Sequence, residues 1–453
     1  MVWANNVSVG AVAVSSAGAT MELKFSVSQE NTFSTKTVTT PEESVNDAIW
    51  LFVKYSTSGV SGPWDHCTIE GTSAGGDASA GITTPSDKKG VFLTANANKS
   101  YFVSGGVTVR WLFTEDGLLA TPEDVRFKAF ALEMVKVPEG AFYFANILAE
   151  RTKAPDLTGL GYPGTGDIYV ESAADDLPTG ASEGWPNGYG SFYVGKYEVS
   201  QKQYADFLNT IDPEGSSGAT YYDSTLYNTW EYYIKRDAGA AIGSRYYVTN
   251  DRGNAASNFI SWDDMRTYLS WAALRPMTEM EFEKAARGGV SRATDVDDYP
   301  WGTTAPGGTT ETKTGTNYDI YQYYANWYDN SNNTQGYDGP YNVGHFLSGQ
   351  DVNGGALART NEQTGASPYG IADLAGSVWE HLINCAYTTT PNNGDGDTDF
   401  SDESWPAAAS GKGLRGAGWG DDATDLRVSD RFNAGWTKTY RTTSVGFRPA
   451  RTP

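Results

Sequence analysis

The stretch that closes the chain, Leu414–Arg451, reads LRGAGWGDDATDLRVSDRFNAGWTKTYRTTSVGFRPAR. Its ends, LRGAGW and VGFRPAR, have the look of framework. The residues between them follow neither a helical nor a strand period. A backbone of that kind has no ladder of its own, so the frame must hold it. A rigid frame around an irregular middle rich in side chains is how binding and catalytic surfaces are built. The stretch carries seven Lys/Arg against four Asp, whereas the whole chain has a net charge of -22. Arg427, Arg431 and Arg448 are expected to tie the frame to carbonyls and carboxylates. Arg441 fits either frame or surface.

The overall acidity argues against nucleic acid and anionic membranes as partners. No apolar run approaches a bilayer span. The N-terminal residues lack the basic region of a signal peptide, the first lysine being Lys24; either export by that route does not occur or a leader is missing. Two cysteines, Cys67 and Cys385, lie far apart, so a thiol metal cluster is excluded and a disulfide is not expected. The three histidines, His66, His345 and His381, show no metal-ligand spacing.

Residues 1–133 read as all-β. Runs such as Met21–Val27, Ala48–Tyr55, Val107–Phe113 and Val125–Leu132 alternate with turn-rich pieces, as in an immunoglobulin-like β-sandwich of short strands. IWLFVKY is apolar on both faces and suits a central strand. From Met134 the texture becomes α+β. Ser200 is placed to cap a helix reaching about Asn209, and Ser261 to cap another over Trp262–Ala272. Thr278-Glu-Met-Glu281 is a capping box whose helix stops at Gly288-Gly289. Residues 303–370 have almost no periodicity.

Several ordered pieces resemble the formylglycine-generating enzyme (sulfatase-modifying factor) family, a variant of the C-type lectin fold. They are MVKVPEG from Met134, VGKYEVSQKQYADFLN from Val194, and ISWDDMRTYLSWAALRPMTEMEFEKAARGG from Ile260. YPWG, GIADLAGSVWE from Gly370, LRGAGW and VGFRPAR complete the series. The resemblance implies a C-type-lectin-like domain over 134–453. The family's enzymes hold copper with two cysteines placed just after the LRGAGW-type segment. Those positions fall near Asp421 and Leu426, which supply no thiolate. A related branch uses a His-ligated iron, for which this chain lacks the histidines. No copper or iron is therefore expected.

A third branch, the variable proteins of diversity-generating retroelements, keeps the fold without catalysis. In it the closing stretch is rewritten at adenines and displayed as a ligand surface. Adenine mutation of AAC or AAT codons cannot give Lys, Trp, Glu, Gln or Met, and from Gly420 to Ser444 these appear only as Trp436 and Lys438. The resemblance implies a non-catalytic, receptor- or ligand-binding protein. Its surface would comprise Gly420, Asp421, Asp422, Thr424, Asp425, Asp430, Phe432, Asn433, Ala434, Trp436, Tyr440, Arg441, Thr442, Thr443 and Ser444. Leu414, Trp419, Leu426, Val428, Val445 and Phe447 are assigned to the core. The alternative is a metal-dependent oxidoreductase of the formylglycine-generating or sulfoxide synthase type.

The resemblance also implies two structural Ca²⁺ ions. One would take the carboxylates of Asp373 and Glu380 and the carbonyls of Gly376 and Val378. The other would take the side chains of Asn326 and Asp338 and the carbonyls of Trp327 and Pro340. Asp395, Asp397 and Asp399 imitate the opening of an EF-hand but lack its Gly and terminal Glu, and read as a solvated acidic loop. His381 reads as a packing residue. The expected partner is a protein or glycan, and the expected setting a virion or cell surface, with the cytoplasm open in the absence of a visible signal peptide.

Overall fold

The computed structural model describes residues 7–17, 20–32, 36–39, 42–78, 81–119, 124–144, 168–174, 177–215, 221–289, 298–304, 339–344, 364–399, 401, 403–407, 411–436 and 440–453. Among the described residues its N-terminal part is β apart from two short 3-10 turns, Gly59–Ser61 and Gly76–Ala78, and the strands are longer than expected. Thr20–Thr32 has 13 residues and Glu42–Ser56 has 15. The reason lies in the polar residues between the apolar ones. Met21, Leu23, Phe25, Val27 and Gln29 are buried while Lys24 and Ser26 face solvent, so one two-residue period runs through the segment.

Thr20–Thr32 pairs with Lys99–Trp111 in a smaller sheet. Glu42–Ser56 pairs with Arg126–Val137 in a larger one. The two sheets share a core in which Leu23, Phe25, Val107 and Trp111 meet Ile49, Leu51 and Val53. The other face of the same central strand turns Ala48, Trp50 and Phe52 into a second core with the helices. The doubly apolar run IWLFVKY is thus explained: the strand is buried on both faces because each face serves a different core.

The larger sheet continues into the C-terminal part. Arg126–Val137 pairs with Phe192–Gly195, which pairs with Pro449–Arg451, which pairs with Arg275–Pro276. The division expected at 133/134 falls inside Arg126–Val137, and backbone pairing runs across it. The described residues are mostly β with few helices, which fits a C-type-lectin-like fold.

Among the described residues three α-helices pack on this sheet: α1 (Gln201–Ile211), α2 (Trp262–Trp271) and α3 (Glu279–Arg287). Each begins with a complete capping box, Ser200 with Gln203, Ser261 with Asp264 and Thr278 with Glu281. Gly288 ends α3 at φ 82°, a conformation open to glycine at no steric cost. Helix α3 is buried on all sides although five of its nine residues are charged. Its charges are paired. Arg275 forks onto Glu281, Arg415 reaches Glu279 and Glu283, and Arg287 lies between Glu283 and Asp298. Lys284 donates to the carbonyls of Pro138, Gly140 and Tyr189. Removing one partner of such a set would strand a buried charge, at a cost of about 3–5 kcal/mol.

Candidate functional site

Both ends of the closing stretch are fixed to one strand, Trp379–Ile383. Lys412–Arg415 pairs with it antiparallel and Val445–Phe447 pairs with its other edge in parallel. Glu380 therefore sits opposite Arg415 on one side and Gly446 on the other. Leu414, Leu426, Val428, Val445 and Phe447 are buried, so the apolar residues assigned to the core are found there.

Backbone contacts then stake out the irregular middle. Gly376 N–H donates to the Gly416 carbonyl, Leu414 N–H to Asn433, Val428 N–H to Asp298 and Phe259 N–H to Thr442. Gly413 is tight against Ala434: a Cβ there would lie 2.1 Å from the Ala434 carbonyl oxygen. The arginines complete the frame. Arg448 donates to Glu380, Gly195 O and Ala372 O, each at 2.8 Å. Arg431 forks onto Glu279. Burial raises the Glu279 carboxyl, but Arg431 and Arg415 outweigh it and hold the group at about 2. Arg441, left open by sequence, forks onto Asp264, the residue that closes the cap of α2.

The expected surface residues separate by depth. Gly420, Asp422, Phe432 and Tyr440 are exposed, Phe432 by 37% and Tyr440 by 58%. Asp421, Thr424, Asn433, Trp436, Arg441, Thr442, Thr443 and Ser444 are half-buried. Asp425, Asp430 and Ala434 are buried. Asp430 accepts from Phe432 N–H, and Asp421 accepts from Trp379 Nε1 at 2.6 Å and from Gly418 N–H at 2.9 Å.

Trp419 departs from its assignment to the core. It is half-buried and stacks on Trp230, with ring centroids 5.2 Å apart and planes 27° from parallel. Trp230 is 45% exposed. Sequence reasoning missed it because it lies in an aperiodic segment far from the closing stretch. It belongs to a turn in which Asn228, Trp230 and Glu231 all have positive φ. For non-glycine residues this costs about 1–3 kcal/mol each. Asn258 secures the turn by donating from Nδ2 to both Trp230 O and Thr443 O. Two Trp faces and the closing stretch thus form one continuous surface.

Under this surface lies a buried acidic cluster. Glu198, Asp373 and Glu380 surround Arg448. Burial pushes Glu198 well up, with Asp373 adding repulsion; it pushes Asp373 up to about 6 and also raises Glu380. One oxygen on Glu198 and one on Glu380 are buried without a hydrogen-bond donor. Such oxygens are of the kind a hard cation takes, but Arg448 already stands as a counter-charge among Asp373 and Glu380, the carboxylates of the calcium expectation, and Glu198. Asn326, Trp327 and Asp338 lie outside the described residues. The Pro340 carbonyl accepts from Arg252 at 3.0 Å. Among the described residues no three or more His, Cys, Asp or Glu side chains are grouped to hold a metal ion, so a calcium ion here would need main-chain oxygens such as those of Gly376 and Val378.

The resemblance sets the copper thiolates near Asp421, engaged as described, and Leu426, an apolar side chain in the core. Cys67 and Cys385 are free and buried, and burial pushes both thiols up. The residues present do not fit a copper–thiolate centre. His381 is buried against Trp262, with Nε2 3.0 Å from Ile260 O, and burial pushes it down to about 4. It packs, as expected.

Comparison with known proteins places the fold. The Sulfatase-modifying factor enzyme 1-like domain matches residues 94–453. A 52-residue segment is 46% identical to a formylglycine-generating enzyme of Thermomonospora curvata, covering 12% of this chain and 16% of that enzyme. The domain match begins well inside the N-terminal β region, consistent with the shared sheet.

Proposed function

The chain belongs to the sulfatase-modifying factor enzyme 1-like family, and from that premise we propose that it is a non-catalytic member which recognises a ligand through its closing stretch. The observation that carries the reading is the contrast within that stretch. Its ends are locked to Trp379–Ile383 and Arg415, Arg431, Arg441 and Arg448 to buried carboxylates, while Phe432, Tyr440, Asp422 and Gly420 stand exposed. Aromatic residues on a fixed frame give large contact area at low entropic cost. The surface is narrower than the full set of expected residues: buried Asp425, Asp430 and Ala434 serve it by shaping backbone.

The further reading is that this protein is a variable protein of a diversity-generating retroelement. Its partner is a protein or glycan, and it is displayed on a virion or cell surface. The N-terminal sheets, read as an immunoglobulin-like sandwich, serve as its attachment module. Calcium braces the irregular backbone at Asp373, Gly376, Val378 and Glu380, with Glu198 contributing. Sequencing the flanking DNA tests the retroelement reading. A near-repeat of the closing codons beside a reverse transcriptase gene, differing at adenines, is the expected result; a gene present in many isolates with an invariant closing stretch and no such repeat would overturn it.

The identity to a formylglycine-generating enzyme favours a second reading, a metal-dependent oxidoreductase. Asp421 and Leu426 offer no thiolates for its copper, so that reading needs a different metal site. Stoichiometric copper or iron in the purified protein would favour it over ligand recognition.

A further inference from the structure

One edge of the strand Arg126–Val137 is only half used. Phe192–Gly195 pairs with it antiparallel at 134–137, and Lys196 N–H closes that row on the Glu133 carbonyl. The chain then turns away into α1. Before Glu133 the strand pairs only with Glu42–Ser56, in a register unbroken from Arg126 to Lys136. Alternation fixes which main-chain groups are left over, because successive residues of an antiparallel strand turn their N–H and C=O to opposite edges. Glu133 turns to the edge it shares with Lys196, so Phe127, Ala129 and Ala131 turn there as well. The neighbouring strand agrees: Val53, opposite Ala129, turns its carbonyl away, to the Cys67 N–H.

Among the described residues nothing bonds the N–H or C=O of Phe127, Ala129 or Ala131. The bare part, 126–132, is about 20 Å long. Proteins hide such edges with charge, proline or a covering element. This one opens instead into a groove of about 620 Å³ between residues 7–12, on the outer strand of the smaller sheet, and α1. The two walls differ. On one, Phe127, Ala129 and Ala131 and the facing Val7, Val9 and Val12 are half-buried apolar residues at the margin of the sandwich core. The other wall is polar and carries Lys128 with Lys202, Gln203 and Asp206 of α1. Lys202 pairs with Asp206. The partners of Lys128, the Asn209 carbonyl and the Trp64 ring, are neutral. This wall is therefore basic within a chain of net charge -22.

Alternating N–H and C=O groups at strand spacing are the complement of another extended main chain. We propose that the edge at 126–132 takes up an extended segment of a partner protein by strand addition. The added strand continues the row of Phe192–Gly195 and so runs antiparallel to Arg126–Val137. Its apolar residues face the sandwich core and its acidic and polar residues face Lys128 and α1. None of the surface residues expected in the closing stretch lines this groove, so the site stands apart from what that stretch recognises.

Register sets the test. Across an antiparallel hydrogen-bonded pair the two side chains share a face. The side chains of Phe127, Ala129 and Ala131 border the sandwich core, so the amides that meet them belong to the apolar residues of the added strand. The probe is a fluorescein-labelled peptide alternating Val with Glu and Thr, titrated with the full chain and read by anisotropy. Saturable binding is expected. N-methylation of the Val amides should weaken it about tenfold or more, whereas N-methylation of the Glu and Thr amides should leave it unchanged. Hydrogen exchange at Phe127, Ala129 and Ala131 should slow when the peptide is present. Ala129→Pro removes an N–H that takes no part in pairing with Glu42–Ser56, a place where an edge strand accepts proline, and should abolish binding with an unchanged melt. Leu119→Ser alters a fully exposed apolar side chain outside the groove and should change nothing. If Ala129→Pro unfolds the chain, the two methylated peptides decide. The proposal is overturned if no saturable binding appears up to millimolar peptide, if both methylated peptides bind alike, or if exchange slows only elsewhere. It is also overturned if the chain alone is a dimer that Ala129→Pro dissociates, which would give the edge to a second copy.

Discussion

Arg441 lays its guanidinium along Asp264, with Nε 2.8 Å and NH2 2.6 Å from the two carboxylate oxygens. Asp264 also accepts from Ser261 N–H in the cap of α2. One carboxylate thus joins the closing stretch to a buried helix. Arg441→Ala removes the fork and leaves Asp264 with its cap alone. Denaturant melts should show a loss of about 2 kcal/mol, and an unchanged midpoint would mean that Arg441 belongs to the surface and not to the frame.

The opposite outcome is expected for exposed Phe432 and Tyr440 and for half-buried Thr442, whose hydroxyl has no hydrogen bond to lose. Replacing Phe432, Tyr440 and Thr442 together should leave the melting temperature within a few degrees, since surface changes away from special contacts stay within about 0.5 kcal/mol each. The Thr442 contact to Phe259 is made by its backbone carbonyl and survives. Collapse of folding in calorimetry would count against a displayed surface.

His381 makes an acid-side prediction. Burial holds it down to about 4 from an ordinary value of 6.5. The unfolded chain therefore takes up a proton as pH falls through 6.5, while the native protein resists until about 4. The stability this group supports is whole above 6.5 and is lost as pH falls towards 4, by about 3 kcal/mol in all. Asp373 and Glu403, both raised by burial, act in the opposite sense as pH falls. The readout is thus the difference between parent and His381→Gln, whose amide can still reach Ile260 O. Parallel stability–pH curves for the two proteins would sink the argument.

Calcium should raise the melting temperature and chelation should lower it. At a hundredfold excess over the dissociation constant the gain is about 2.7 kcal/mol. Glu198→Gln should remove most of the calcium response, because it neutralises one of the buried oxygens that lack a donor. A response of unchanged size in that variant would place the ion elsewhere.

Much of the frame was legible. The three N-caps are local patterns, and all three helices begin where Ser200, Ser261 and Thr278 mark them. The double-sided burial of IWLFVKY was legible too, though not that its two faces serve different cores. Long-range relationships were hidden. The charges of α3 look like a solvated face until Arg415 and Arg431 arrive from elsewhere in the chain. Trp419 read as core because its partner, Trp230, is an exposed ring on a turn that no local pattern announces. Within the closing stretch, residue type could not separate buried Asp425 and Asp430 from exposed Asp422.

The pairing of Lys412–Arg415 and Val445–Phe447 with opposite edges of Trp379–Ile383 sets the two mouths of the intervening loop two strand spacings apart, about 10 Å. The sheet fixes that span whatever lies between. Ring closure then depends only weakly on contour length: doubling the loop would add about 0.6 kcal/mol. Insertions and deletions clear of the anchors Leu426, Val428, Arg431 and Ala434, as well as exchanges of exposed side chain, are therefore open to this surface at a cost the frame can absorb.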